Sequence, residues 1–187
     1  MILLFNDGLL STPRTLLRPW RESDAPRLYE LAKSPNVGPA AGWLPHKSEA
    51  ESLQVIRTVL LGPGTFAVVL KENEQVIGAA SVTVAGNDTG STDEASLGYW
   101  LGEPYWGRGI MPEVVRALLE YAFITLKLER VWLSYFDEND RSRRVAEKCG
   151  FTVDHTFVKT WPMGIKHETA CVMTKENYLS TRGARKV

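Results

Sequence analysis

Near the middle of the chain, Leu97-Gly-Tyr-Trp-Leu101 leads through Gly102-Glu-Pro104 into Tyr105-Trp-Gly-Arg-Gly-Ile-Met111, and a helix-like segment follows with Pro112 in its first turn. An apolar strand thus feeds a glycine turn that feeds a helix. In such a turn the successive backbone N–H groups from Gly107 to Met111 form a nest for an anion, and the helix N-terminus adds partial positive charge. A pyrophosphate would be held there without a large basic patch. Gly107 and Gly109 permit the positive φ and the close backbone approach that this requires. No Lys-Ser or Lys-Thr follows the glycines, so a nucleotide-hydrolase phosphate loop is excluded. Neither the glycine spacing nor the acidic residues fit a dinucleotide fold. The glycine pair alone is equally compatible with a bare structural turn.

The second informative segment is Asn139-Asp-Arg-Ser142, continuing Arg143-Arg-Val-Ala-Glu-Lys148-Cys-Gly150-Phe151. Taken by themselves, Asn139 is a helix N-cap and Ser142 a polar residue of the first turn. Together the two segments resemble the acyl-CoA-binding motif and adjoining helix of the GNAT superfamily, in the branch that contains the ribosomal-protein N-terminal (alanine) acetyltransferases. The resemblance runs from Thr15 to Tyr178 and includes Leu17-Arg-Pro-Trp20 and the loop Gly42-Trp-Leu-Pro-His46.

The resemblance implies an α+β fold: a mixed, mostly antiparallel sheet with helices on both faces and a splayed strand pair that holds acyl-CoA. Acetyl-CoA, as acyl donor, would run beside the Leu97 to Leu101 strand, with backbone groups at Trp100 and Leu101 pairing with pantetheine amides. Trp106, Gly107, Arg108, Gly109, Ile110 and Met111 would cradle the pyrophosphate. Asn139 would bond the pantetheine, and Ser142 would lie near the sulfur. Two positions depart from the family pattern: Trp106 stands where Gln or Arg is commoner, and Met111 where Gly or Ala is usual. A long side chain at 111 would crowd the diphosphate.

Acyl transfer to an amine needs a neutral amine lone pair, stabilisation of an oxyanion and protonation of the departing thiolate. The expected catalytic set is Ser142, Asn139 and Glu168. Backbone N–H near Leu101 serves the oxyanion, Ser142 protonates the thiolate directly or through water, and Glu168 acts as base, with the adjacent His167 as the alternative. An α-amine, pKa roughly 8, needs less help than a lysine amine, pKa roughly 10.4. Trp43 and His46 are expected to wall the acceptor pocket. Arg141, Arg143, Arg144 and Lys148 read as a solvated helix face, with a ribose 3′-phosphate as the competing use for one or two of them.

The elements that must position these residues follow from patterning. Thr15 to Trp20 is extended, and Ser23-Asp24 caps a helix to about Lys33. Residues 34–48 carry Pro35, Gly38, Pro39, Gly42 and Pro45 and read as an irregular loop. Ser48 opens a second helix to about Leu61, with Glu51 at capping-box spacing. Strands are expected at Phe66–Leu70, Val76–Val84 and Ala95–Leu101, joined at 72–75 and 86–93. A helix over Glu113–Lys127, a strand over Arg130–Phe136 and a helix over Asn139–Lys148 closed by Gly150 come next. Thr152–Thr160 and Glu168–Thr174 form a final strand pair.

The 187 residues fit one domain, 1–180, with a polar, basic tail over 181–187 that is expected to be disordered. Lys plus Arg number 22, as do Asp plus Glu, so no global positive field holds a nucleic acid. The apolar start Met1 to Phe5 is too short for a signal or membrane segment, and a cytoplasmic location is expected. Cys149 and Cys171 have no partners at zinc-ligand spacing and read as buried thiols; no metal is expected. Acceptor candidates are a protein N-terminus or a small-molecule amine. Exposed edges of the last strand pair leave room for a homodimer. The alternative to an enzyme is a non-catalytic CoA-binding sensor or interaction module.

Overall fold

A computed structural model describes residues 9–84 and 93–184. The Met1 to Phe5 segment and most of the 86–93 connection lie outside these residues. The strands are β1 (Leu10–Ser11), β2 (Thr15–Arg18), β3 (Thr65–Leu70), β4 (Val76–Val84), β5 (Glu94–Leu101), β6 (Arg130–Phe136), β7 (Thr152–Trp161) and β8 (Gly164–Thr174). Among the described residues they form one sheet in the order β1-β2-β3-β4-β5-β6-β8-β7. Every neighbouring pair is antiparallel except β5 and β6. The helices are α1 (Ala25–Ala32), α2 (Val37–Ala41), α3 (Glu49–Val55), α4 (Ile110–Glu120), α5 (Asp140–Cys149) and α6 (Lys175–Ala184). This is the mixed α+β architecture expected.

Strand alternation sorts the core into two layers. On one face Ala67, Val69 and Ala79 meet Trp20, Leu28, Ala32, Ile56 and Leu60 from the α1 and α3 side. On the other, Val68, Ile77, Leu97, Val131 and Leu133 pack against Ile110, Val114, Leu118 and Phe123 of α4 and its extension. Both α3 and α4 end in a wider π turn, over Ile56–Leu60 and Tyr121–Thr125. No helix of the described residues is long and apolar enough to cross a membrane.

Several expectations are corrected. Asp24 does not cap α1 with its side chain: its carboxylate takes two bonds from Arg18 at 2.7 Å and one from the Arg21 N–H. The 34–48 stretch is not wholly irregular, because Pro39 falls inside the short helix α2, where Gly42 ends it at φ 93°. Glu51 bonds the Lys47 N–H rather than closing a reciprocal box with Ser48, although Ser48 Oγ does accept from the Glu51 N–H. Thr181 to Ala184 finish α6, and residues 185–187 lie outside the described part. Both cysteines are buried, and the Cys149 thiol points at the Pro112 carbonyl.

Asn139 ties α5 to α2. Its Oδ1 accepts from the Ser142 N–H and caps α5, while Nδ2 donates to the Ala40 carbonyl of α2 at 3.1 Å. Removing both bonds in Asn139→Ala is expected to cost about 1–3 kcal/mol of stability. Urea denaturation checks this; a midpoint equal to wild type would contradict it.

Candidate active site

Among the described residues the β5–β6 ladder pairs Glu94↔Arg130, Ala95↔Val131 and Ser96↔Trp132. Beyond Ser96 the two strands part, because β5 stays with β4 to Leu101 while β6 stays with β8 to Phe136. A cleft of about 480 Å³ opens in the gap. In the β4 ladder Gly102 donates to the Ile77 carbonyl, so alternation turns the backbone groups of Tyr99 and Leu101 the other way, toward β6. These groups face the cleft. One of them is already used: the Trp106 indole N–H donates to the Leu101 carbonyl at 2.7 Å. The expectation of free pairing groups at Trp100 and Leu101 is corrected: Trp100, in step with Gly102, spends its backbone groups on β4, and the groups left are the Leu101 N–H and the N–H and C=O of Tyr99.

The glycine turn closes one end. Gly107 and Gly109 adopt φ of 73° and 71°, and Gly109 is the residue before α4. Left-handed backbone at both lets the amide groups curl around one point, and the α4 N-terminus faces the same way. Arg14 buttresses the turn from outside, donating to the Arg108 carbonyl at 2.8 Å and pairing with Glu113. Trp106, Gly107, Gly109, Ile110 and Met111 line the cleft; Arg108 does not, and its guanidinium lies 5.6 Å from the Tyr105 ring. Met111 is 5% exposed and packs in the core, so its length is taken up beneath α4.

Of the four basic residues on α5, Arg141, Arg144 and Lys148 line the cleft. Arg143 instead pairs with Asp140 and Glu147 on the solvent side. The Arg141 guanidinium lies 4.1 Å over the Trp106 ring, bridging α5 to the glycine turn through a cation–π contact. The donor set therefore suits a polyphosphate: left-handed glycines, a helix N-terminus and three cations on the facing helix.

Midway along the cleft, Ser142 Oγ and Tyr99 Oη lie 2.9 Å apart. Burial raises the Tyr99 pKa far above the usual phenol value, so this group stays protonated. At the opposite end Glu168 is 2% exposed. Its two oxygens accept from the Trp161 indole N–H at 2.7 Å and from Ser134 Oγ at 3.0 Å. His167, one residue earlier, alternates to the other side of β8 and is exposed. It does not line the cleft.

Trp43 and His46 do not line the cleft either. Trp43 sits one layer behind, edge-on to Trp100 at 5.7 Å. His46 Nδ1 pairs with the buried Ser52 hydroxyl at 2.8 Å, and burial lowers its pKa. The part of this loop that meets the site is Gly42, where an added Cβ would come within 2.5 Å of the Trp161 ring. Trp161, Tyr99, Arg14 and Ser134 went unnoticed in the sequence. Only Tyr99 carried a local signal, lying within the apolar strand motif two residues before Leu101.

Residues 14–152 match the model of the acetyltransferase (GNAT) domain. The uncharacterized N-acetyltransferase p20 of Bacillus licheniformis is 28% identical over 147 residues, 76% of this chain and 81% of the relative. The [ribosomal protein uS5]-alanine N-acetyltransferase of Escherichia coli is 28% identical over 86 residues, 46% of this chain and 43% of that one. The crystal structure of a GNAT-family acetyltransferase from Bacillus anthracis superposes with a TM-score of 0.80 at 20% identity, covering 90% of this chain and 99% of that one. The chain belongs to the GNAT family and is an acetyl-CoA-dependent acyltransferase.

Proposed function

We propose that the protein transfers an acetyl group from acetyl-CoA to a primary amine by direct attack, with both substrates bound in the β5–β6 cleft. One observation carries this reading. A single continuous cleft has an anion-binding turn at one end, a hydroxyl pair in its middle and a buried carboxylate at the other. The thioester of acetyl-CoA supplies the electrophilic carbonyl and a thiolate leaving group.

The chain's own groups have separable tasks. The Gly107–Met111 amides and the α5 cations hold the phosphates. Tyr99 and Leu101 amides pair with the pantetheine arm and polarise the carbonyl oxygen. The Glu168 carboxylate accepts a proton from the incoming amine. Ser142 Oγ–H gives a hydrogen bond to the departing sulfur while its own oxygen accepts from the Tyr99 hydroxyl, and the stabilised thiolate takes its proton from solvent. Asn139, with both ends of its amide occupied, orients α5 and places Ser142. It acts as a positioning residue. The fixed orientation of the two bound reactants supplies the rest.

Tyr99→Phe removes the partner of Ser142 Oγ and leaves the cleft's shape. Loss of one hydrogen bond, about 1 kcal/mol, is expected to lower kcat about fivefold while the CoA Kd stays within twofold. Equal kcat in the variant would contradict the assignment.

Direct attack is tested by initial rates over a grid of acetyl-CoA and amine concentrations. Intersecting double-reciprocal lines are expected. Parallel lines, with an acetylated protein recovered in the absence of amine, would overturn the mechanism.

A further inference from the structure

Beyond Glu168 the acceptor side continues onto a part of the sheet that the helices leave open. On this face α1 and α3 pack over β3 and β4 and reach no further than Trp100. The register places Ser96 beside Trp132, Ser134 beside Ala170, and Ala170 beside His155, all on the same side as Glu168. Together with Phe157 these residues line a second cavity of about 220 Å³, which shares Leu97 and Ser134 with the first. Three of its walls are rings: His155 lies 6.4 Å from Trp132 and 5.8 Å from Phe157. The Trp132 indole is fixed, donating to Glu94 Oε2 at 2.7 Å while Arg130 holds Oε1.

We infer that this basin is a specificity subsite for an aromatic group of the acceptor, carried about 7 Å from the amine nitrogen that Glu168 receives. The inference rests on the proposed function, since it takes the Glu168 end of the cleft as the amine site. The separation follows from the strand: Ala170 is two residues from Glu168, which is about 7 Å of rise. The volume admits one ring, as a cavity of about 150 Å³ already holds benzene. Aromatic walls favour an aromatic guest through edge and offset contacts. A polycationic acceptor lacks a second anchor here. Glu168 is the only carboxylate among the described residues lining either cavity, and nearby Glu94 is committed to Arg130 and Trp132.

An aryl amine and a peptide with an aromatic second residue present the same chemistry, and the test separates them. Acetylation rates are compared for 2-phenylethylamine against n-butylamine, and for Ala-Phe-amide against Ala-Gly-amide. The set is run with wild type, Phe157→Thr and Trp132→Leu. The aromatic member of at least one pair is expected to have kcat/KM about tenfold higher in wild type. The preference should fall to about parity in Phe157→Thr, a strand-compatible change on the exposed edge strand, with n-butylamine and Ala-Gly-amide unaffected. The pair that shows it identifies the source. Equal rates within both pairs, or a preference that survives both variants, would overturn the subsite. Calorimetric titration of the same amines in the presence of CoA separates this failure from that of the catalytic reading. Aromatic-selective binding without turnover sinks the transfer reaction and keeps the basin, whereas turnover without selectivity does the reverse. Neither binding nor turnover removes both.

Discussion

Glu168→Gln is expected to lower kcat/KM for any amine about 10²- to 10⁴-fold, the span typical of a lost general base. The substitution is close to isosteric. A glutamine oxygen still accepts from the Trp161 indole, so the local hydrogen bond at 2.7 Å and the wall it forms are preserved. What disappears is the capacity to take a proton from the amine. An amine enters largely as ammonium near neutrality, and the other side chains lining that end of the cleft, Ser134, Phe136 and Trp161, cannot take its place. The melting temperature and the CoA Kd should stay near wild type. A variant within threefold of wild-type kcat/KM would show that the proton leaves by another route.

Gly109→Val addresses the other end. Gly109 sits at φ 71°, where a Cβ costs roughly 1–2 kcal/mol and a β-branched side chain more. The Cβ would stand 3.6 Å from the Arg14 guanidinium, an ordinary contact, so the harm falls on the backbone. Valine will pull the residue toward negative φ and rotate the amides that form the nest. CoA affinity is expected to weaken at least tenfold, measured by calorimetry, in line with losing roughly 1.4 kcal/mol of oriented donor. Unchanged affinity would mean that the turn does not hold the phosphates. Gly107 gives a comparison, because its φ is 73° and nothing lies within 4 Å of an added Cβ.

The strands of the site were legible because they are apolar, short and bounded by turn residues. Residues 130–136 were placed without error, and β5 was missed by one residue at its start. Both glycines of the turn showed their positive φ in advance, since little else explains two glycines before a helix. The Asn139 and Gly150 caps were visible for the same reason: each end of α5 needs a residue of that type. The acceptor end was another matter. Ser134 reaches Glu168 only because β8 lies beside β6, a strand order that local patterning does not encode, whereas Trp161 reaches it across the β7–β8 hairpin. Trp43 and His46 looked functional from their types. The left-handed turn at Gly42 carries the chain past the site and leaves them behind it, one against Trp100 and one against Ser52. Arg14 lies 94 residues before the carbonyl it supports at Arg108, and nothing in either segment announces the contact.

Amine-dependent release of CoA thiol from acetyl-CoA, followed together with the mass of the amine, tests the central claim most directly. The account requires thiol release in step with one acetyl group gained per amine, and its loss in Glu168→Gln with CoA binding intact. Well-folded wild-type protein that binds CoA, yet releases no thiol with any amine supplied, would contradict it and make the cleft a CoA-binding sensor.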